Sequence, residues 1–180
     1  MEIGLVGLGK MGYPLALNML EKRHRVFALS RSSVKAAAVS GDNIEGISDP
    51  VAFTKMFSAR KLIWLMVPAG DPVDRMIDQF IPLLSPGEII VDGGNSHYHD
   101  SLRRSEGLEE HKLVYVDAGI SGGPEGARKE ACMMIGAPKE TFTYLEPLLK
   151  DICSRPREQY YSRSVRWLQT GKRCRGKFPD

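Results

Sequence analysis

Apolar residues in this chain come in short runs and helical stripes that alternate from the first residue onward. Glu2 to Val6 reads as a short buried strand. Leu15, Leu17, Met19 and Leu20 then recur at the spacing of a helix from about Met11 to Lys22, and Val26 to Leu29 gives a second strand. Ser48-Asp49-Pro50 has the form of a cap and first turn for a short helix through Phe57. Lys61 to Val67 is a largely apolar run of the kind a strand covered on both faces requires. After the turn Pro68 to Pro72, Val73, Met76, Ile77, Phe80, Ile81 and Leu84 follow helical spacing, and Ser85-Pro-Gly87 ends that helix. Glu88 to Asp92 predicts a strand, Tyr98 to Glu110 a polar helix, and Leu113 to Ala118 another strand. Gly119 to Gly126 predicts a loop, Cys132 to Ile135 a short strand, and Lys139 to Ile152 a last helix.

Strands alternating with helices through short loops predict an α/β fold, a Rossmann-like doubly wound and mostly parallel sheet. Right-handed crossovers then bring the C-terminal strand ends to one edge, where such sheets bind ligands. Three glycine-rich loops fall at those ends. The first, Gly7-Leu-Gly-Lys-Met-Gly12, follows a strand and opens a helix. In that context Gly7 allows a tight turn, Gly9 leaves room for a pyrophosphate, and Gly12 lets the helix lie close on the strand. The helix end adds a positive field for the phosphates. Dinucleotide binding through Gly7, Leu8, Gly9, Lys10, Met11 and Gly12 is the prediction.

NAD sites usually carry an acid at the end of the second strand, to accept from the ribose hydroxyls. Here Ser30-Arg31-Ser32-Ser33 stands in that place, with no acid before Asp42. A guanidinium flanked by hydroxyls suits a 2′-phosphate, which favours NADP, with NAD as the second candidate. The plainer alternative is a solvated arginine after a strand. The second loop, Asp92-Gly-Gly-Asn-Ser96, offers the Asn95 amide and glycines that permit close approach, or else a turn held by Asn95. The third offers Ser121, Gly122 and Gly123 to a carboxylate or hydroxyl, or is only a turn. His97, His99 and His111 read as solvated and form no metal set, and Trp64 and Met133-Met134-Ile135 read as core.

Bulk properties change this picture little. The 180 residues, 42% hydrophobic and 26% charged, suit one globular domain and a little more. No apolar run approaches the roughly 18 residues of a membrane span, which argues against a membrane partner. Met1 leads straight into a strand, so no signal peptide is expected, and three cysteines without metal spacing suit a reducing, cytoplasmic setting. The net charge of +3 divides unevenly: residues 154–180 hold eight Lys/Arg against Glu158 and Asp180, giving +6, which leaves −3 elsewhere. The expected organisation is a domain over 1–153 followed by a basic, poorly packed tail. Nucleic acid is disfavoured as a partner of that tail, since no groove-reading architecture accompanies it.

Gly4-Leu-Val-Gly-Leu-Gly-Lys-Met-Gly12, Ser30-Arg-Ser32, Leu65-Met-Val-Pro-Ala-Gly70, Asp92-Gly-Gly-Asn-Ser96 and Ile120-Ser-Gly-Gly-Pro-Glu-Gly126, in this order, resemble the N-terminal domain of 6-phosphogluconate dehydrogenase over about residues 1–153. The wider β-hydroxyacid dehydrogenase group shares the first and third of these loops. Hydroxyisobutyrate-type relatives carry an Asp-x-Ser-Thr pattern at the second, which makes that branch the alternative. A non-catalytic NADP-binding regulatory module is another.

The resemblance implies that Gly7 to Gly12 hold the pyrophosphate and that Ser30, Arg31 and Ser32 surround the adenosine ribose and its phosphate. Val67, Pro68 and Ala69 would border the cofactor. Asn95 would touch both cofactor and sugar acid, and Ser121, Gly122 and Gly123 would bind the sugar-phosphate acid substrate. It also implies oxidative decarboxylation, a lysine base, a glutamate acid and a homodimer completed by a helical domain. Trp167 to Phe178 faintly resembles the approach to the lysine segment, but Cys174 stands where a glycine belongs and Asp180 about where the lysine belongs. The expectation is therefore that the catalytic lysine, glutamate and helical domain are lacking, and no catalytic residue is assigned.

Overall fold

The computed structural model describes residues 1–30, 44–153, 156–159 and 166–170. Its strands are β1 (Glu2–Val6), β2 (Arg25–Leu29), β3 (Ile44–Ile47), β4 (Leu62–Leu65), β5 (Ile89–Asp92), β6 (Val114–Ser121), β7 (Cys132–Ala137), β8 (Pro156–Gln159) and β9 (Arg166–Thr170). Its helices are α1 (Gly12–Glu21), α2 (Pro50–Thr54), α3 (Asp71–Phe80), α4 (Tyr98–Glu110), α5 (Gly123–Lys129) and α6 (Lys139–Ile152), and a 3₁₀ turn spans Ile81–Leu83.

One sheet runs in the order β3-β2-β1-β4-β5-β6-β7-β9-β8. The strands β3 to β6 are parallel neighbours, with Leu5 opposite Trp64, Trp64 opposite Val91 and Val91 opposite Val116. The sheet is thus the mostly parallel, doubly wound one that the alternation predicts. The last three strands pair antiparallel. Strand order reverses at β1, which has β2 on one side and β4 on the other. A crevice opens at such a switch point, beyond the C-terminal strand ends.

Alternating side chains send each central strand into two cores. On one face Ile3, Leu5 and Trp64 pack with Leu15 and Met19 of α1 and with Phe142, Leu145 and Leu149 of α6. On the other, Val6, Phe27, Ile63 and Leu65 pack with Phe53 of α2, Val73, Ile77 and Phe80 of α3, and Leu108 of α4. Trp64, Met133 and Ile135 are buried, as their apolar surroundings predict, while Met134, also expected in the core, is only half-buried because it points to the other face of its strand. Each large side chain so buried contributes about 1.5–3 kcal/mol, which the ordering of the loops draws on. Two polar side chains also tie elements together. Asn18 of α1 donates to the carbonyls of Ala127 and Ile152, at 3.1 and 3.0 Å. Asp49 caps α2 by accepting from the amides of Val51 and Ala52.

Three differences from the sequence pattern matter. Strand β3, Ile44–Ile47, is not predicted, because its four residues lack alternation and become a strand only by pairing with β2. The segment Gly119 to Gly126 is not a loop throughout: β6 continues to Ser121 because β7 pairs with it, and α5 begins at Gly123 with Pro124 in its first turn. Past Ser154, where a poorly packed tail is expected, β9 pairs with β7 and β8 with β9.

Candidate functional site

The β1–α1 loop is shaped by contacts that separate the roles of its three glycines. Gly7 takes φ 98°, and its amide donates to the Leu29 carbonyl at 3.0 Å. A Cβ on Gly7 would come within 2.6 Å of the Met66 carbonyl oxygen. One on Gly12 would come within 2.0 Å of the Gly7 carbonyl oxygen, so Gly12 is required by helix-to-strand approach. Gly9 differs: a Cβ there meets no atom within 4 Å, and the residue is exposed. Among the described residues, nothing requires Gly9 to lack a side chain. The open space in front of it lies at the N-terminal end of α1, which has no side-chain cap and no acid in its first turn. Within the first turn Tyr13 donates to the Gly9 carbonyl at 3.2 Å and Pro14 has no N–H, so what that end offers a phosphate group is chiefly the field of the helix. Leu8 and Met11 are half-buried against the core, while Lys10 is exposed.

Strand β4 feeds the next loop. Met66 donates to the Val6 carbonyl at 2.7 Å, and Gly93 donates to that of Leu65 at 2.8 Å, so the loops after β1, β4 and β5 stand side by side. Val67 is half-buried, and Pro68 and Ala69 are exposed. The loop ends at Gly70, φ 85°, which begins α3. Ser30 is buried and its amide donates to the Ile47 carbonyl at 3.0 Å. The remaining residues of the adenosine-side prediction, Arg31 and Ser32, lie outside the described residues.

After β5 the chain is packed closely. A Cβ on Gly93 would come within 2.6 Å of Met66 Sδ, and one on Gly94 within 2.7 Å of the Val67 carbonyl oxygen. These two glycines are therefore required by the neighbouring loop. Asn95 takes φ 57°, a left-handed conformation that asparagine tolerates better than most residues. Its Oδ1 accepts from the Ile120 amide at 2.8 Å and its Nδ2 donates to the Ile120 carbonyl at 3.2 Å. This pairing brings the second glycine-rich segment to the end of β6, where Ser121, Gly122 and Gly123 are exposed, the glycines at φ 109° and 61°.

Beneath these loops lies a polar cluster that sequence reasoning missed. Asp92, fully buried at the end of β5, accepts from Tyr115 Oη at 2.8 Å, Ser96 Oγ at 2.7 Å, the Gly94 amide at 2.9 Å and Arg104 Nη1 at 3.1 Å. Arg104 of α4 also donates to both oxygens of Asp74, at 2.8 and 3.1 Å, to Ser96 Oγ at 2.7 Å and to the Gly70 carbonyl at 3.1 Å. Burial opposes the charge on Arg104, but Asp74 and Asp92 outweigh it and hold the guanidinium protonated. The hydrogen bond from Arg104 is the main cause of an Asp74 carboxyl held below its usual range. Burial pushes Asp117 up to about 6, with the charge of Asp92 adding to the effect. In the sequence Arg104 is one charge on a polar helix, and its partners are 8 to 34 residues away, so no local pattern marks it.

A family model described as the NAD binding domain of 6-phosphogluconate dehydrogenase matches residues 2–164. The decarboxylating 6-phosphogluconate dehydrogenase of Ceratitis capitata is 38% identical over 159 residues, covering 86% of this chain and 33% of that one. The NAD(+)-dependent, decarboxylating enzyme of Haloferax volcanii is 36% identical over 156 residues, covering 87% of this chain and 51% of that one. The chain thus spans a third to a half of the length of these relatives. Among solved structures, Plasmodium falciparum 6-phosphogluconate dehydrogenase, determined in its apo form and in complex with NADP+ and with 6-phosphogluconate, superposes with a TM-score of 0.77 at 28% identity. That match covers 85% of this chain and 34% of the other. Matched over residues 2–164, the chain belongs to the family of 6-phosphogluconate dehydrogenase NAD-binding domains.

Proposed function

We propose that this chain binds NADP across the switch point at β1, as the cofactor-binding part of a decarboxylating 6-phosphogluconate dehydrogenase. The observation that carries the reading is Gly9, the one glycine of the first loop whose missing side chain no atom of the described residues requires. A diphosphate laid over it would meet the positive end of α1. Gly7 to Gly12 hold the pyrophosphate in this reading, and Ser30, Arg31 and Ser32 hold the adenosine ribose with its 2′-phosphate. Val67, Pro68 and Ala69 border the cofactor beyond β4. Asn95 keeps one lone pair and one N–H outside its pairing with Ile120, and directs them at cofactor and sugar acid. Ser121, Gly122 and Gly123 receive the substrate. NAD is the second cofactor candidate, and a cytoplasmic setting belongs to the same reading.

When bound, the nicotinamide supplies a hydride acceptor for oxidation of the substrate hydroxyl. The residues here orient the two reactants. Removal of the hydroxyl proton requires a base within hydrogen-bond reach. No residue of 1–153 is assigned that role, so the 180-residue chain binds without practical turnover. NADPH formation from 6-phosphogluconate by the purified chain tests this. Turnover at about 1 s⁻¹ or more, the low end of ordinary enzymes, would show that a base is present and has been missed.

A further inference from the structure

We infer that Arg104 is a positioning residue that sets the spacing of the loops after β4 and β5, and through them the nicotinamide half of the cofactor site. The inference rests on the cofactor reading above and extends it to residues that do not touch the ligand. All five N–H donors of the Arg104 guanidinium are used. Nε donates to Asp74 Oδ1, Nη1 to Asp92 Oδ2 and Ser96 Oγ, and Nη2 to Asp74 Oδ2 and the Gly70 carbonyl. Its side chain is 1% exposed and that of Asp92 is 0% exposed, so water does not stand in for any of these partners.

The four acceptors come from distinct pieces of chain. Gly70 closes the β4–α3 loop, Asp74 lies in the first turn of α3, Asp92 ends β5 and Ser96 sits in the β5–α4 loop. Tyr115 attaches β6 to the same carboxylate. Val67 to Ala69 on one loop and Asn95 on the other are thereby held at a fixed separation by a group beneath them. An arginine fork can do this and a lysine cannot, since three mobile donors on one nitrogen do not span these acceptors.

The topology gives the inference a direction. Strand β2 and the Ser30 end of the site lie on one side of β1, and β4 and β5 lie on the other. A dinucleotide centred on the β1 loop therefore places its adenosine half toward β2 and its nicotinamide half over the loops that Arg104 holds. Loosening Arg104 must weaken the whole dinucleotide while sparing a ligand that fills only the adenosine half. A general loss of stability spares neither.

The experiment is calorimetric titration of NADPH and of adenosine 2′,5′-bisphosphate into the unaltered chain, Arg104→Lys and Ser96→Ala. Hydrogen exchange of each ligand-free protein is measured alongside. For Arg104→Lys the expected result is NADPH weakened about tenfold, which is about 1.4 kcal/mol, with the bisphosphate unchanged. Amides of residues 66–70 and 93–96 should exchange faster and those of α1 at their former rate. Ser96→Ala, which removes the bonds of Ser96 Oγ to Asp92 and from Arg104 but no charge, should show the same pattern at a smaller size and stands in if Arg104→Lys does not fold. Equal weakening of both ligands, or of neither, in a folded variant overturns the inference. Failure of the unaltered chain to bind either ligand overturns the cofactor reading itself.

Discussion

Asn95 and Ile120 are joined by a two-way hydrogen bond, with the Asn95 amide accepting at 2.8 Å and donating at 3.2 Å, as a neighbouring strand residue would. One side chain thus holds the second glycine-rich segment against β6 while its backbone sits at φ 57°. Asn95→Ala should lose both bonds and also strain the left-handed backbone. Asn95→Gly should lose the bonds alone. In urea unfolding, the alanine variant should be the less stable of the two by about 1 kcal/mol, and both should fall below the unaltered chain by about 1–3 kcal/mol. A glycine variant less stable than the alanine one would remove the backbone part of this account.

The first loop predicts a split between two substitutions of the same chemical kind. Gly12→Ala places a Cβ about where the Gly7 carbonyl already lies, 2.0 Å away, and should cost stability. The loss expected is about 1–3 kcal/mol or more, the range for forced overpacking. Gly9→Ala meets nothing and should leave the melting temperature unchanged. It should instead weaken NADPH, because the new methyl group occupies the path of the pyrophosphate. Thermal melts with and without cofactor separate the two effects. Equal destabilisation by both substitutions would mean that Gly9 is needed by the fold alone.

Asp117 makes stability depend on pH in a stated direction. Burial raises its carboxyl from 3.8 to about 6. Between those values the folded chain keeps a proton that the unfolded chain releases, so stability falls as pH rises through the window. The full effect is on the order of 2–3 kcal/mol, and it is absent below about pH 4. His24 acts oppositely: burial first, then the nearby N-terminal amine, lowers its pKa below 6.5, so its protonation opposes folding as pH drops. The difference between unaltered chain and Asp117→Asn isolates the carboxylate. Unfolding at pH 3.5 and pH 7.5 should find the variant more stable at the higher pH and nearly equal at the lower. An advantage of the same size at both would contradict the assignment.

How much of this was legible in the sequence depends on where the determining partners lie. Tyr98–Glu110 and Lys139–Ile152 have the predicted bounds because local periodicity sets them. The glycine loop and the mostly parallel, doubly wound sheet follow from the strand-to-helix alternation and the handedness of crossovers. Strand β3 and the extension of β6 to Ser121 depend on neighbours supplied by β2 and β7, and no local pattern carries that information. Gly93 and Gly94 suggest ligand approach in the sequence, whereas their closest neighbours are Met66 and Val67 of the adjacent loop. The Arg104 cluster was invisible for the same reason. Its bond to Asp74 crosses 30 residues and that of Tyr115 to Asp92 crosses 23.

Cofactor preference rests on Ser30-Arg31-Ser32 and the lack of an acid there. NADPH should bind more tightly than NADH, and Arg31→Ala should remove most of the difference. The loss of a charge-assisted contact to phosphate amounts to about 1.5–3 kcal/mol. Parallel titrations of the two cofactors into both proteins decide it. Equal affinities in the unaltered chain would contradict a preference for NADP.

The central claim, that the crevice at β1 is a dinucleotide site whose floor is Gly9, is tested most directly by titrating NADPH into the unaltered chain and into Gly9→Ala. Saturable binding with one cofactor per chain is the predicted result, weakened about tenfold or more in a variant that melts at the same temperature. Binding of equal strength in the two proteins, or no heat of binding in the unaltered chain up to about millimolar cofactor, would contradict it.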